Sequence, residues 1–210
     1  MDTNKKFVIT INRELGSGGR TIGRKLSERL GVKYYDKALV KELTEKFDLS
    51  VEELEKVKSS KFNWWNEFIQ NYMLNYRVEE RFNVENTVAT TENLFRVESQ
   101  FLKNLAEDES CVIAGRSGFY IFRDHPNAFK VLIQSPMPCR IKRVMERQGL
   151  SESEAKKAID KVDKGRERYT QEFSGTSRYD TRNYDLVLNV GNLSEDAAVD
   201  IIMECINKQN

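Results

Sequence analysis

Residues 13–21, RELGSGGRT, contain the residue types that bind phosphate. Gly16, Ser17, Gly18 and Gly19 let backbone N–H groups approach an oxyanion, while Arg13, Arg20 and Thr21 offer charge and a hydroxyl. The general phosphate-loop pattern GxxxxGK, followed by Ser or Thr, places a lysine after its second glycine. Here Gly18 fits that second glycine, Gly19 stands where the lysine is expected, and Thr21 follows after one intervening residue. The missing charge has two candidates: Arg20, one residue along, and Arg13, at the first position of the loop. Either would replace a point charge by a planar fork, which is not an equivalent exchange. The same residues also fit a tight turn whose glycines merely allow close helix packing.

The elements around this loop say where it must sit. The apolar run FVITIN (7–12) precedes it and reads as a strand, and Ile22, Leu26 and Leu30 recur behind it at helical spacing up to Gly31, which can supply a left-handed cap. Further buried strands are expected at KYY (33–35), CVIAG (111–115), FKVLIQ (129–134) and LVLNV (186–190). Helical patterns at 136–149 and 193–206 alternate with them. The expectation is an α/β fold, a parallel five-stranded sheet flanked by helices, with ligands at the carboxyl ends of its strands. Ser151 and Glu154 stand in capping-box relation and start another helix, on which Asp163, Arg166 and Tyr169 share one face.

Residues 50–105 contain no proline or glycine and are read as a helical insertion, with helical periodicity at Phe95, Phe101, Leu102 and Leu105. Trp64, Trp65, Phe68, Tyr72 and Tyr76 suit the insertion's own core, a homodimer face or contact with a base.

Composition narrows the partners. The 34 basic and 33 acidic residues leave a formal charge of +1, which argues against a broad nucleic-acid surface, so anion specificity must come from placed arginines. No stretch approaches the ~20 apolar residues of a membrane span, and MDTNKKFVITI is too short in apolar residues for a signal peptide; the expected location is cytoplasmic, without membrane contact. Cys111, Cys139 and Cys205 are widely spaced and suggest neither disulfides nor zinc, and the single histidine, His125, reads as a surface residue in a turn and excludes a metal site built on several histidines.

Taken together, ITINRELGSGGRTIGRKLSERLG, YYDKALV, VIAGRSGFYIF, IQSPMPCRIKRVME, DKVDKGRERY and YDLVLNVGNLS resemble, in order and spacing, the cytidylate kinase-like family of P-loop nucleoside monophosphate kinase folds. The resemblance implies one kinase-like domain over 1–210, with the 50–105 insertion on the acceptor side and a lid-like segment at 150–182. It implies ATP and Mg²⁺ at residues 13–21, with Thr21 near the metal and Arg20 serving catalysis. Asp36 falls at an acceptor-side aspartate. Where true cytidylate kinases carry Gly-Arg-Asp, this chain has Gly115, Arg116 and Ser117; Arg116 is the implied clamp for the acceptor phosphate, and loss of the aspartate bears on metal positioning. Arg166 is the first candidate for a lid arginine and Arg178 or Arg182 the second. Arg140 and Arg143 either flank the donor base or form an exposed helix face. The implied activity is phosphoryl transfer from ATP to a nucleoside monophosphate, CMP or dCMP; the alternative is a non-catalytic nucleotide-binding sensor with a degenerate loop.

Overall fold

A computed structural model describes residues 1–36 and 92–208. The aromatic run from Trp64 to Tyr76, and all of the insertion before residue 92, lie outside the described residues.

Five parallel strands form one sheet: β1 (Val8–Arg13), β2 (Lys33–Asp36), β3 (Cys111–Ala114), β4 (Ala128–Gln134) and β5 (Leu186–Asn189), in the order β2-β3-β1-β4-β5. The helices are α1 (Gly19–Leu30), α2 (Glu92–Asp108), α3 (Gly118–Ile121), α4 (Met137–Gln148), α5 (Glu152–Ser174) and α6 (Glu195–Asn207), with a 3₁₀ turn at Thr181–Asn183. All five expected strands are present, and the α/β class holds.

The strands read as unbroken apolar runs because both faces are covered. Ile9, Ile11, Tyr34 and Val112 pack toward Ile22 and Leu26 of α1 and Ile202 of α6. Their neighbours Val8, Tyr35, Cys111 and Ile113 point the other way, toward Val97, Phe101, Leu102 and Leu105 of α2. The aromatic and leucine periodicity assigned to the insertion therefore belongs to a helix that seals the main sheet and runs to Asp108, beyond the expected boundary at 105. A third cluster joins Leu15 of the loop to Val144 of α4 and to Ala155 and Ile159 of α5. Truncating one of these fully buried side chains, such as Leu26, to alanine costs about 2–5 kcal/mol.

Local signals fix the helix ends. Gly31 caps α1 in the left-handed region at φ 66°. At Ser151 the side chain accepts from the Glu154 N–H while the Glu154 carboxylate accepts from the Ser151 N–H, so the capping box forms as expected. Because β1 lies between β3 and β4, the chain segments leaving β1 and β3 emerge side by side at the same sheet end. That places residues 13–21 next to Gly115–Ser117.

Candidate active site

The loop after β1 is held from three sides. The Glu14 N–H donates to the Ile133 carbonyl (3.2 Å), the Leu15 N–H to Asp163 Oδ1 (3.0 Å), and the Ser17 hydroxyl to the Glu14 carbonyl (2.9 Å). Gly16 and Gly18 both adopt φ 81°, a left-handed conformation that favours glycine, and a Cβ at Gly16 would come within 2.7 Å of the Arg140 carbonyl. Helical bonding in α1 starts with the Ile22 N–H donating to Gly18 O (3.0 Å), so the first-turn amides precede the ladder and open toward the loop. Amides presented this way, at the positive end of a helix, suit an anion. Beside them is a small cleft bordered by Arg13, Gly18, Arg20, Arg143 and Arg166.

Two of the three lid candidates, Arg166 and Arg178, converge on this loop. Arg166 Nη1 donates to the Arg13 carbonyl (3.1 Å) and reaches Asp163 Oδ1 at 3.3 Å. Arg178, with no solvent exposure, donates through Nη2 to the same carbonyl and lies 3.4 Å from Asp163 Oδ1 through Nη1. Burial, and then the charges of Arg13 and Arg178, pull the Arg166 guanidinium down to about 9. Burial likewise lowers Arg13, with Arg20 and Arg178 adding like charge while Tyr34 and Asp36 oppose them. Arginine does not give up its proton in proteins, so such crowding is a demand for a counter-anion. Arg182 stands apart: it is exposed and pairs with Asp180 at 2.8 Å. The structure thus brings Arg166 and Arg178 together with the loop but leaves Arg182 outside.

On the other flank, Arg20 Nε and Nη2 both donate to Asp36 Oδ2 (3.1 and 2.7 Å), joining two candidate residues in one pair at the end of β2. The Thr21 hydroxyl accepts from Arg147 Nη2 at 3.2 Å. Gly115, Arg116 and Ser117 follow β3 with φ of 86°, 55° and 51°. Consecutive non-glycine residues in this region cost of order 1–3 kcal/mol each and gather at functional sites. Arg116 is buried, paired with Glu98 of α2, and its guanidinium lies 4.9 Å from the Tyr169 ring centroid. The Ser117 hydroxyl is 3.2 Å from that of Thr170. Tyr169, expected on the face of Asp163 and Arg166, is directed instead to Arg116, Phe95 and Phe173.

Two assignments change in the folded chain. The exposed-face reading of Arg140 is corrected: it is buried, and donates Nε to the Leu15 carbonyl (2.8 Å) while pairing with Asp163 and, at 3.3 Å, with Glu14. Asp163 is more than the i, i+3 partner of Arg166. Its carboxylate also receives the Leu15 N–H, Arg140 and Arg178. The sequence signal for both was weak: Arg140 lies four residues before buried Val144, and Asp163 four after buried Ile159. Arg143 pairs with Glu195 at 2.7 Å. Among the described residues no group of three His, Cys, Asp or Glu could hold a metal ion, and no helix is long and apolar enough to cross a membrane.

Residues 8–192 match the cytidylate kinase-like family. The chain belongs to that family. A cytidylate kinase of Methanopyrus kandleri is 25% identical over 209 residues, covering 95% of this chain and 93% of its own. A solved structure of an uncharacterized protein from Eubacterium ventriosum superposes with a TM-score of 0.69 at 28% identity, covering 97% of this chain and 99% of that one. The shikimate kinase of Bacteroides thetaiotaomicron shares the fold, with a TM-score of 0.51 at 15% identity over 96% of this chain and 98% of that one. The match to the family spans both the lysine-less loop and the Gly-Arg-Ser triplet.

Proposed function

We propose that this cytidylate kinase-like protein transfers the γ-phosphoryl group of ATP to a nucleoside monophosphate, CMP or dCMP. The observation that carries the reading is the convergence of Arg166 and Arg178 on the Arg13 carbonyl at the end of β1, with Asp163, among the described residues, the carboxylate that contacts both. Phosphoryl transfer asks little covalent chemistry of a protein; it needs positioning and positive charge around a group shared between donor and acceptor.

In this reading the loop amides bind donor phosphates, and Arg166, at the lip of the cleft, neutralises charge as the phosphoryl group moves. Arg178 holds the loop carbonyl in place. Arg20 and Asp36 stand on the acceptor side, where Arg116 is the guanidinium nearest the left-handed turn after β3. Mg²⁺ keeps several waters and binds largely through substrate phosphates, so it asks few oxygen donors of the protein. Thr21 would contribute its hydroxyl, and the ion would offset phosphate charge.

A second reading, a nucleotide sensor without turnover, draws on Gly19 in the lysine position and Ser117 in place of Asp. The test is phosphoryl transfer from ATP with Mg²⁺ across nucleoside and deoxynucleoside monophosphates, with Arg166→Ala as the control for contaminating kinase. Turnover of CMP or dCMP that this variant loses is the expected result. ATP binding without turnover on any acceptor would select the sensor.

A further inference from the structure

Gly19 is in a helical conformation, so its backbone does not require glycine. What excludes a side chain there is Arg13: a Cβ on Gly19 would sit 2.5 Å from Arg13 Cβ and 3.0 Å from Arg13 Cγ, with Ile133 Cβ at 3.3 Å on another side. Real Cβ atoms essentially never approach to 2.5 Å, so positions 13 and 19 cannot both carry a side chain in this loop geometry. In GxxxxGK the first position is glycine and the last is lysine. Here the first is Arg13 and the last is Gly19: the two positions have exchanged which of them bears the cation.

The head of Arg13 has its own accommodation. Its guanidinium lies over Gly115, where any Cβ would collide with Nη1, and Gly115 is at φ 86°. Stem and head thus run between two glycines, one from each of the adjacent loops, and Arg13 is among the residues that line the cleft. Among the described residues no carboxylate accepts from this guanidinium, whereas Arg20 is committed to Asp36, Arg140 to Asp163 and Glu14, and Arg143 to Glu195.

We infer that Arg13 is the phosphate-binding cation of the loop, delivered from its first position in place of the lysine ordinarily delivered from its last; this rests on the phosphate-loop reading above. The ligand it recognises is the polyphosphate of a nucleoside triphosphate, for which a guanidinium offers two parallel donors. The missing lysine is then a relocation of charge rather than a loss.

The test is titration calorimetry with Mg·ATP, alongside thermal unfolding, on four variants. Arg13→Met keeps an apolar stem over Gly19 and removes the charge; it should weaken ATP binding about ten- to a hundredfold without lowering Tm, since the lost charge lies among like charges. Gly19→Lys with Arg13 present should bind and fold less well than the native chain. Arg13→Gly should lose ATP affinity, and the double variant Arg13→Gly with Gly19→Lys, which restores GxxxxGK, should regain most of it. ATP affinity unchanged in Arg13→Met, loss of affinity in step with a lower Tm, or a double variant no better than Arg13→Gly would each overturn the assignment. A native chain that binds no ATP would overturn the phosphate-loop reading itself, whereas native binding that Arg13→Met retains would remove only Arg13 from it.

Discussion

Arg178 has no solvent-exposed surface, and its Nη1 lies 3.4 Å from Oδ1 of Asp163, a carboxylate that Arg140 and Arg166 also contact. One negative charge therefore serves three guanidinium groups while fixing the Leu15 amide. Asp163→Asn keeps the shape and removes that charge. Leaving buried cations uncompensated costs about 3–5 kcal/mol. Denaturant unfolding should show a loss of that size in Asp163→Asn; a change below about 1 kcal/mol would mean that the arginines are balanced elsewhere.

Arg166 and Arg182 both come from the segment read as a lid, yet only Arg166 contacts the loop. Steady-state kinetics on the two alanine variants should rank them. Arg166→Ala is expected to lower kcat at least about a hundredfold with a smaller change in KM, as for a group acting in the transition state. Arg182→Ala should lose less. The reverse order would mean that the segment moves far enough to exchange the two.

The Glu98–Arg116 pair is buried beside Tyr169. Removing one partner strands a charge; removing both does not. Glu98→Gln and Arg116→Met should each destabilise by about 3 kcal/mol, and the double variant by less than the sum. Strict additivity in a double-mutant cycle would dissolve the pair. Under the kinase reading Arg116→Met should also raise the acceptor KM, which Glu98→Gln should do only through Arg116.

Burial pushes the Cys111 thiol well above its ordinary range, with the Glu109 carboxylate adding to the effect. At neutral pH an aromatic disulfide reagent should modify the partly exposed Cys139 and Cys205 and spare Cys111 until denaturant is added. Immediate reaction of all three cysteines would show that the β2–β3 edge opens readily.

Strands and helix ends were legible because they depend on neighbours in sequence: β-branched runs for β1 and β4, Gly31 at the end of α1, and the Ser151–Glu154 box. The site was legible in residue type but not in partnership. Nothing near Arg140 in sequence announces that Glu14 and Asp163 will converge on it. Likewise, the dependence of Gly19 on Arg13 exists only once β1 and α1 fold back on each other. A buried cation reads as a surface cation until its counter-charges arrive from elsewhere in the chain.

The central position of β1 also bears on how the protein is made. Val8 pairs with Cys111 on one side and Ala128 on the other, and β1 has no partner among the strands that directly follow it. β1 is thus synthesised before either of its partners, with both edges and an apolar sequence waiting for β3 and β4. Such late, non-local closure makes for slow folding, and it leaves β1 dependent on α1, or on a chaperone, for cover until β4 has been synthesised.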